Sequence, residues 1–261
     1  MKRVLVVGAF TFIGFTVVKR LLQEGVEVIG LDQEQPEHLS KWNEEKLMLI
    51  GRNSNFTYYS MHDREEFAKD VDTIYICYCE PDRKDYDEFD IQSMLDLCQS
   101  HSIRLVLLSS ISKSYQRLEE QVTTVTNHII LRVPTVYGPW QPSSMVFQQL
   151  LEAELRQDTI TVHVNECIDD AVFVEDVAEC MLLCGTSNCC GTFHIESNEK
   201  GAWEQGLAIL QGGNTIVFPK ESETLERNVP FTYKPTYLVE TGIQEQKNHV
   251  MKYRYLYTSN T

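Results

Sequence analysis

Through Pro134 the chain alternates between two hydrophobic rhythms. Near-unbroken apolar runs recur at Val4–Val7, Val26–Asp32, Val71–Cys79, Arg104–Ser110 and His128–Pro134, with a more mixed run near Phe56–Ser60. Between them, apolar side chains fall at helical spacing over Phe12–Gln23, around Leu39–Leu49, over Arg64–Lys69 and over Asp87–Gln99 (Phe89, Ile91, Met94, Leu95, Leu97). A run that is apolar on both faces reads as a strand covered on both sides. Such strands alternating with helices predict an α/β fold, a doubly wound parallel sheet with helices on either face.

Beyond Pro139 the rhythm loosens. Helices are expected over Ser143–Leu155, Val174–Leu183 and Ala202–Leu210, with strands in DTITVHV (Asp158–Val164) and GTFHIES (Gly191–Ser197). The last fifty residues are mixed, and their aromatic end, MKYRYLYTSN, is expected to pack on the core. No linker, repeat or low-complexity stretch interrupts the chain. The expectation is one unit over residues 1–261, of which roughly 140–261 contributes a small C-terminal lobe for a substrate. Parallel sheets bind ligands beyond the carboxyl ends of their strands. That rule gathers Gly8–Gly14, Asp32, Cys77–Glu80, Ser109–Ser110 and Pro134 on one rim.

The first of these stretches is the most specific. VLVVGAFTFIG joins a buried strand to a helix through a turn opened by Gly8, Gly25 ends the helix, and VEVIGLD closes a second strand on Asp32. Strand, glycine turn, helix, strand and acid are the parts of a Rossmann-type dinucleotide-binding βαβ unit. The helix N-terminus offers unpaired N–H groups and a positive dipole end to a pyrophosphate. Asp32 is placed to accept from a ribose diol. Gln33 rather than Arg after it favours NAD over NADP, whose additional phosphate Asp32 would repel.

Charge and composition narrow the partners. Lys and Arg number 23 against 38 Asp and Glu, a net charge of −15, which argues against nucleic acid and anionic membranes as partners. No apolar run is long enough to span a bilayer, and MKRVLVVGAFTFIGF lacks the cleavage site of a signal peptide, so a cytoplasmic location is expected. The eight cysteines lack CxxC spacing and read as buried reduced thiols, with no metal site expected. Likewise His163, Glu166, Cys167 and Asp169 read as a solvated acidic loop, and Glu175 and Asp176 as helix-capping acids.

Five further segments keep a recognisable order. GAFTFIG resembles the GATGFIG of the NAD-dependent epimerase/dehydratase family, within the extended short-chain dehydrogenase/reductase superfamily. VDTIYICYC resembles its strand ending HLAA, LVLLSS its VxxSS strand, ILRVPTVYGPWQP its LRxxNVYGPxQ, DDAVFVEDVAECM its RDFxxVxDVAxA, and GTFHIES its GxxYNIGS. The resemblance covers roughly residues 1–200. It implies a dinucleotide over the strand tips and a small molecule held by the second lobe. Gly8, Phe10, Thr11, Phe12 and Ile13 would surround the pyrophosphate, Asp32 would meet the adenosine ribose and Asp63 the adenine. Cys77 would lie under the cofactor, and Ser109 and Pro134 would flank the nicotinamide.

The same comparison exposes three departures. Thr11 stands where the family has a glycine that lets the backbone approach the pyrophosphate; its hydroxyl is suited to cap the helix or donate to a phosphate. The family's YxxxK pair supplies a tyrosine acid/base whose pKa, ordinarily ~10, the lysine lowers. Aligning EEQV with the family's AEQxV puts Ser112 and Gln116 at those positions, in a segment, Ile111–Asn127, too short for the usual loop and helix. Tyr115 has Glu119 four residues on, an anion expected to raise its pKa, and adjacent Lys113 points away from it. Asp169 replaces an arginine that would grip a nucleotide-sugar phosphate. Two readings follow: an NAD-binding protein without the family's chemistry, or an active NAD-dependent oxidoreductase or epimerase/dehydratase relying on Tyr115, Ser109 and Ser110. The shortened helix belongs to the family's dimer face, so a homodimer stays open.

Overall fold

A computed structural model describes residues 1–61, 70–78, 91–112, 115–218 and 229–258. The chain divides into two compact units. The first comprises Met1–Ser110, Ser114–Arg132 and Ala178–Phe193; the second comprises Ile111–Lys113, Val133–Val177 and His194–Thr261. In chain order the elements are β1 (Arg3–Val7), α1 (Phe12–Gln23), β2 (Glu27–Asp32), α2 (Lys41–Ile50), β3 (Phe56–Ser60), β4 (Thr73–Ile76), α3 (Ile91–His101), β5 (Arg104–Ser110), α4 (Gln116–Val122) and β6 (His128–Val133). They continue with β7 (Thr135–Tyr137), α5 (Val146–Arg156), β8 (Thr161–His163), β9 (Ala171–Phe173), α6 (Val174–Thr186), β10 (Gly191–His194), α7 (Ala202–Leu210), β11 (Thr215–Val217), β12 (Val229–Pro230), α8 (Val239–Lys252) and α9 (Arg254–Thr258).

Eight strands form one sheet in the order β12-β10-β6-β5-β4-β1-β2-β3, and β3-β2-β1-β4-β5 pair in parallel. Strand order reverses beside β1, between β2 and β4, which is where doubly wound sheets open a crevice. Leu5, Val7, Ile74, Ile76, Leu105 and Leu107 line one sheet face and pack with Leu95 and Cys98 of α3 and Val122 of α4. Val4 and Val6, on the opposite face, are equally buried, as the unbroken apolar run requires. Helix α1 closes at Gly25, whose N–H bonds Leu22 O while Val26 N–H bonds Leu21 O. Ser40 caps α2 through Asn43 N–H. The expected helix Arg64–Lys69, the residues Asp87–Asp90 that open Asp87–Gln99, and Cys79 and Glu80 lie outside the described residues.

The second unit holds two parallel pairs, β7 with β9 and β8 with β11, together with α5, α7 and α8. The hydrophobic rhythm did not reveal α8, and its inward residues explain why. Val239, Gly242, Ile243, Gln246 and Val250 form the buried face, so glycine and glutamine take positions where the pattern calls for apolar side chains. A Cβ on Gly242 would lie 2.7 Å from the Tyr137 hydroxyl. Gln246 accepts from Gly138 N–H at 3.1 Å and donates to Gln141 Oε1 at 2.7 Å and Gln148 Oε1 at 3.0 Å. Tyr253, Leu256 and Tyr257 of the aromatic end are buried, while Tyr255 is exposed.

Candidate functional site

The turn between β1 and α1 is built by close approach. Gly8 adopts φ +81°, and its N–H bonds Leu31 O at 2.8 Å, so the chain leaves β1 pressed against the end of β2. A Cβ on Gly14 would sit 2.0 Å from Gly8 O, so only glycine can follow the turn there. Thr11 is the N-cap of α1: Gly14 N–H donates to its Oγ1 at 3.0 Å. The same hydroxyl faces Gly8 O at 2.7 Å and Cys77 O at 3.0 Å, to which it donates. The threonine side chain therefore points into the loop, tying β1, α1 and the end of β4 together, and its proton is spent on protein carbonyls rather than available to a phosphate. Ile13 N–H remains a first-turn donor with no acceptor among the described residues. Gly8, Phe10, Thr11, Phe12, Ile13 and Cys77 are all buried.

Asp32, at the end of β2, is 0% exposed. Phe10 N–H donates to its Oδ2 at 2.8 Å, and Gln33 N–H and the Tyr78 hydroxyl donate to its Oδ1 at 2.9 and 3.4 Å. The Phe10 carbonyl accepts from Lys46 Nζ, so that one peptide unit is held at both poles. Lys46 is only 6% exposed, and its ammonium lies 5.9 Å from the Phe15 ring centroid. The Phe10 ring meets Tyr58 at 4.7 Å, and Tyr58 donates to Glu34 O at 2.6 Å. Sequence reasoning found Asp32 and placed Tyr78 on the same rim within Cys77–Glu80, but missed Lys46 and the bond from Tyr78 to Asp32. Lys46 carries a signal: with Asn43 and Ile50 it forms the buried face of α2, a cation where that face should be apolar. Asp63 lies outside the described residues.

The serines at the end of β5 meet a different environment from the one expected. Ser109 is fully buried and donates to Glu119 Oε1 at 2.6 Å. Arg132, on β6, donates to both Glu119 oxygens, Nε to Oε1 at 3.0 Å and Nη2 to Oε2 at 2.6 Å. Glu119 is thus engaged by both Ser109 and Arg132. Ser110 and Tyr115 are half-buried; Tyr115 occupies the N-cap position of α4 without a side-chain capping bond. Gln116 is exposed, Ser112 half-buried, and Lys113 lies outside the described residues.

In the second unit Pro134 is buried between β6 and β7, and Asp169 is exposed. Asp176 is not a helix cap. Its Oδ1 accepts from the Tyr233 hydroxyl at 2.7 Å and Thr236 N–H at 2.8 Å, and its Oδ2 from Tyr237 N–H at 3.1 Å, anchoring that loop. Nor is Glu166 part of a solvated acidic loop. It accepts from Trp203 Nε1 at 3.0 Å and Val146 N–H at 3.1 Å, and burial pushes its pKa above the usual carboxylate value against those two bonds. Cys77, Cys98, Cys180 and Cys184 are buried and form no disulfide, whereas Cys189 and Cys190 are exposed, contrary to expectation. Burial raises the Cys98 pKa to about 12. Among the described residues no helix is long and apolar enough to cross a membrane, and no cluster of three His, Cys, Asp or Glu side chains could hold a metal ion.

Comparison with known proteins extends this geometry. The model of the NAD dependent epimerase/dehydratase family matches residues 4–127. A search of curated proteins gives no match. Among solved structures, UDP-glucuronic acid 4-epimerase from Bacillus cereus, in complex with UDP-glucuronic acid and NAD, superposes with a TM-score of 0.75 at 18% identity, covering 96% of this chain and 99% of that one. The dTDP-glucose 4,6-dehydratase from Bacillus anthracis, in complex with NAD, gives 0.75 at 17% identity and 98% of each chain. UDP-glucose 4-epimerase from Thermotoga maritima, with UDP-glucose, gives 0.68 at 16% identity, covering 96% and 99%. At these identities the superpositions establish the fold.

Proposed function

We propose that this chain, which resembles the NAD-dependent epimerases/dehydratases, binds NAD at the β1–α1 turn and lacks the proton-transfer pair of that family. The observation that carries the first half is the intact turn: Gly8 at positive φ, Gly14 in close approach, the capped N-terminus of α1 and Asp32 at the end of β2. These residues fit a pyrophosphate, with Ile13 N–H and the helix dipole as its attractive elements. Gly8, Phe10, Thr11, Phe12 and Ile13 would hold it, Asp32 the ribose, Asp63 the adenine, Cys77 the underside of the cofactor, and Ser109 and Pro134 the nicotinamide end. NAD, when bound, supplies a hydride acceptor. A substrate would need its proton moved at the same time. Ser112 and Gln116 cannot do this, and Ser109 is committed to Glu119 in the interior.

The named neighbours carry nucleotide sugars or NAD, and Asp169 stands where the family's arginine would meet a nucleotide-sugar phosphate. An exposed anion at Asp169 would repel a diphosphate there, which supports a reading of binding without turnover of that substrate class. The test has two arms. NAD should raise the thermal midpoint, a hundredfold excess over Kd contributing about 2.7 kcal/mol. UDP- and dTDP-sugars incubated with the protein and NAD should be recovered unchanged, with no epimer or dehydrated sugar formed. A failure of NAD to bind overturns the first half. Turnover that is lost in Tyr115→Phe overturns the second and restores Tyr115 as an acid/base.

A further inference from the structure

The carboxylate expected to receive the ribose is already occupied. A carboxylate offers roughly four lone-pair positions, and among the bonds of the described residues Asp32 accepts from Phe10 N–H at 2.8 Å, Gln33 N–H at 2.9 Å and the Tyr78 hydroxyl at 3.4 Å. Two of these are backbone groups fixed by the loop and by the chain itself. Tyr78 is the only side chain among the three, and its bond is the longest. It is buried, its hydroxyl also faces Met61 Sδ at 3.5 Å, and it helps bury an Asp32 that has no exposed surface at all. A vicinal diol cannot reach Asp32 unless something moves, and Tyr78 is the donor whose displacement leaves the backbone intact.

We propose that Tyr78 is a built-in competitor for the ribose: its hydroxyl holds the position on Asp32 that a diol would take, and its ring closes the approach. This rests on the reading of the β1–α1 turn as the NAD site. NAD then binds only the fraction of molecules in which Tyr78 has swung away. If one molecule in ten is open, the apparent affinity falls about tenfold. Removing the ring restores it, and removing only the hydroxyl restores part of it.

Calorimetric titration with NAD and with ADP on the wild type, Tyr78→Phe, Tyr78→Ala and Asp32→Asn tests the proposal. Tyr78→Ala should bind both ligands about tenfold more tightly than the wild type, and Tyr78→Phe by a smaller factor. Asp32→Asn should bind more weakly than the wild type. With 2′,3′-dideoxy-ADP, which has no diol, the gain from Tyr78→Phe should vanish. Wild-type binding unchanged or weakened in both Tyr78 variants overturns this proposal and leaves the NAD reading standing. An absence of binding in all four proteins overturns both. Should Tyr78→Ala fail to fold, Tyr78→Phe retains the ring and carries the test alone.

Discussion

Replacing Glu119 by alanine isolates the buried polar cluster that Glu119 forms with Ser109 and Arg132. Glu119 and Arg132 have side chains 6% and 12% exposed, joined by two-pronged bonding at 2.6–3.3 Å, and Ser109 is fully buried against the same carboxylate. Truncation removes the carboxylate to which both the buried guanidinium and the buried hydroxyl donate. Breaking a buried pair from one side costs about 3–5 kcal/mol, and the slight water access of Arg132 places the loss near the lower end, about 3 kcal/mol. For a chain of this size each 1 kcal/mol moves the midpoint by roughly 2–4 °C, which gives a fall on the order of 6–12 °C. Glu119→Gln keeps the shape and one acceptor and should lose about half as much. The paired replacement Glu119→Leu with Arg132→Met removes both charges at similar volume and should recover most of the loss. Differential scanning calorimetry on the single and double variants measures the coupling directly. A loss below about 1 kcal/mol in Glu119→Ala, or strict additivity of the two single replacements, would refute the claim that this cluster is a structural brace.

Three further outcomes follow from the same coordinates. Thr11→Val removes the cap of α1 and leaves Gly14 N–H without its acceptor, at a cost of about 1–3 kcal/mol by urea denaturation; an unchanged midpoint would show the hydroxyl to be idle. Glu166 has a raised pKa because it is buried, so the folded state binds its proton more tightly than the unfolded chain does. Its stabilising contribution is complete below the ordinary carboxylate range and is lost as pH rises through the raised value; stability should therefore fall more from pH 4.5 to 8 in the wild type than in Glu166→Gln, and parallel curves would contradict this. A Cβ on Gly185 would sit 1.8 Å from the hydroxyl of Tyr75, which is 0% exposed. Gly185→Ala should cost on the order of 1–3 kcal/mol and be relieved only in part by Tyr75→Phe, whose ring carbon would still lie 2.7 Å from the added Cβ; no relief at all would mean that the hydroxyl does not carry the clash.

What could be read from the sequence follows from how each element is stabilised. Strand β5, Arg104–Ser110, and helix α7, Ala202–Leu210, have the bounds expected of them because their apolar periodicity is the same interaction that buries them. The β1–α1 turn was legible because Gly8 and Gly14 are required by backbone geometry. Helix α8 was not, since Gly242 is chosen to fit against Tyr137 and Gln246 to bond across to Gly138, contacts made by residues more than a hundred positions away. The contacts of Lys46 and Tyr78 escaped for a related reason. They are single polar contacts to Phe10 and Asp32, and single contacts leave no period in a sequence. The bond from Arg132 to Glu119 was not legible either, because helical spacing relates Glu119 only to residues of its own helix, while Arg132 reaches it from β6.

The polar atoms of the β1–α1 turn also bear on what holds the turn in shape. A cradle that depends on its ligand leaves donors and acceptors for that ligand to satisfy. Here Thr11 engages Gly14 N–H together with the carbonyls of Gly8 and Cys77. The Phe10 peptide gives its N–H to Asp32 and its C=O to Lys46. Every one of these groups is buried, and leaving any of them unpaired would cost about 1–3 kcal/mol. These bonds hold the motif in shape without a dinucleotide, leaving Ile13 N–H as the donor open to one. A ligand that does enter must exchange protein bonds for its own, and such an exchange yields little net free energy. Thr11→Gly separates the two demands: it should weaken the fold by the loss of the cap while making the turn more receptive to NAD, and a variant that lost stability and affinity together would show that the threonine serves the ligand after all.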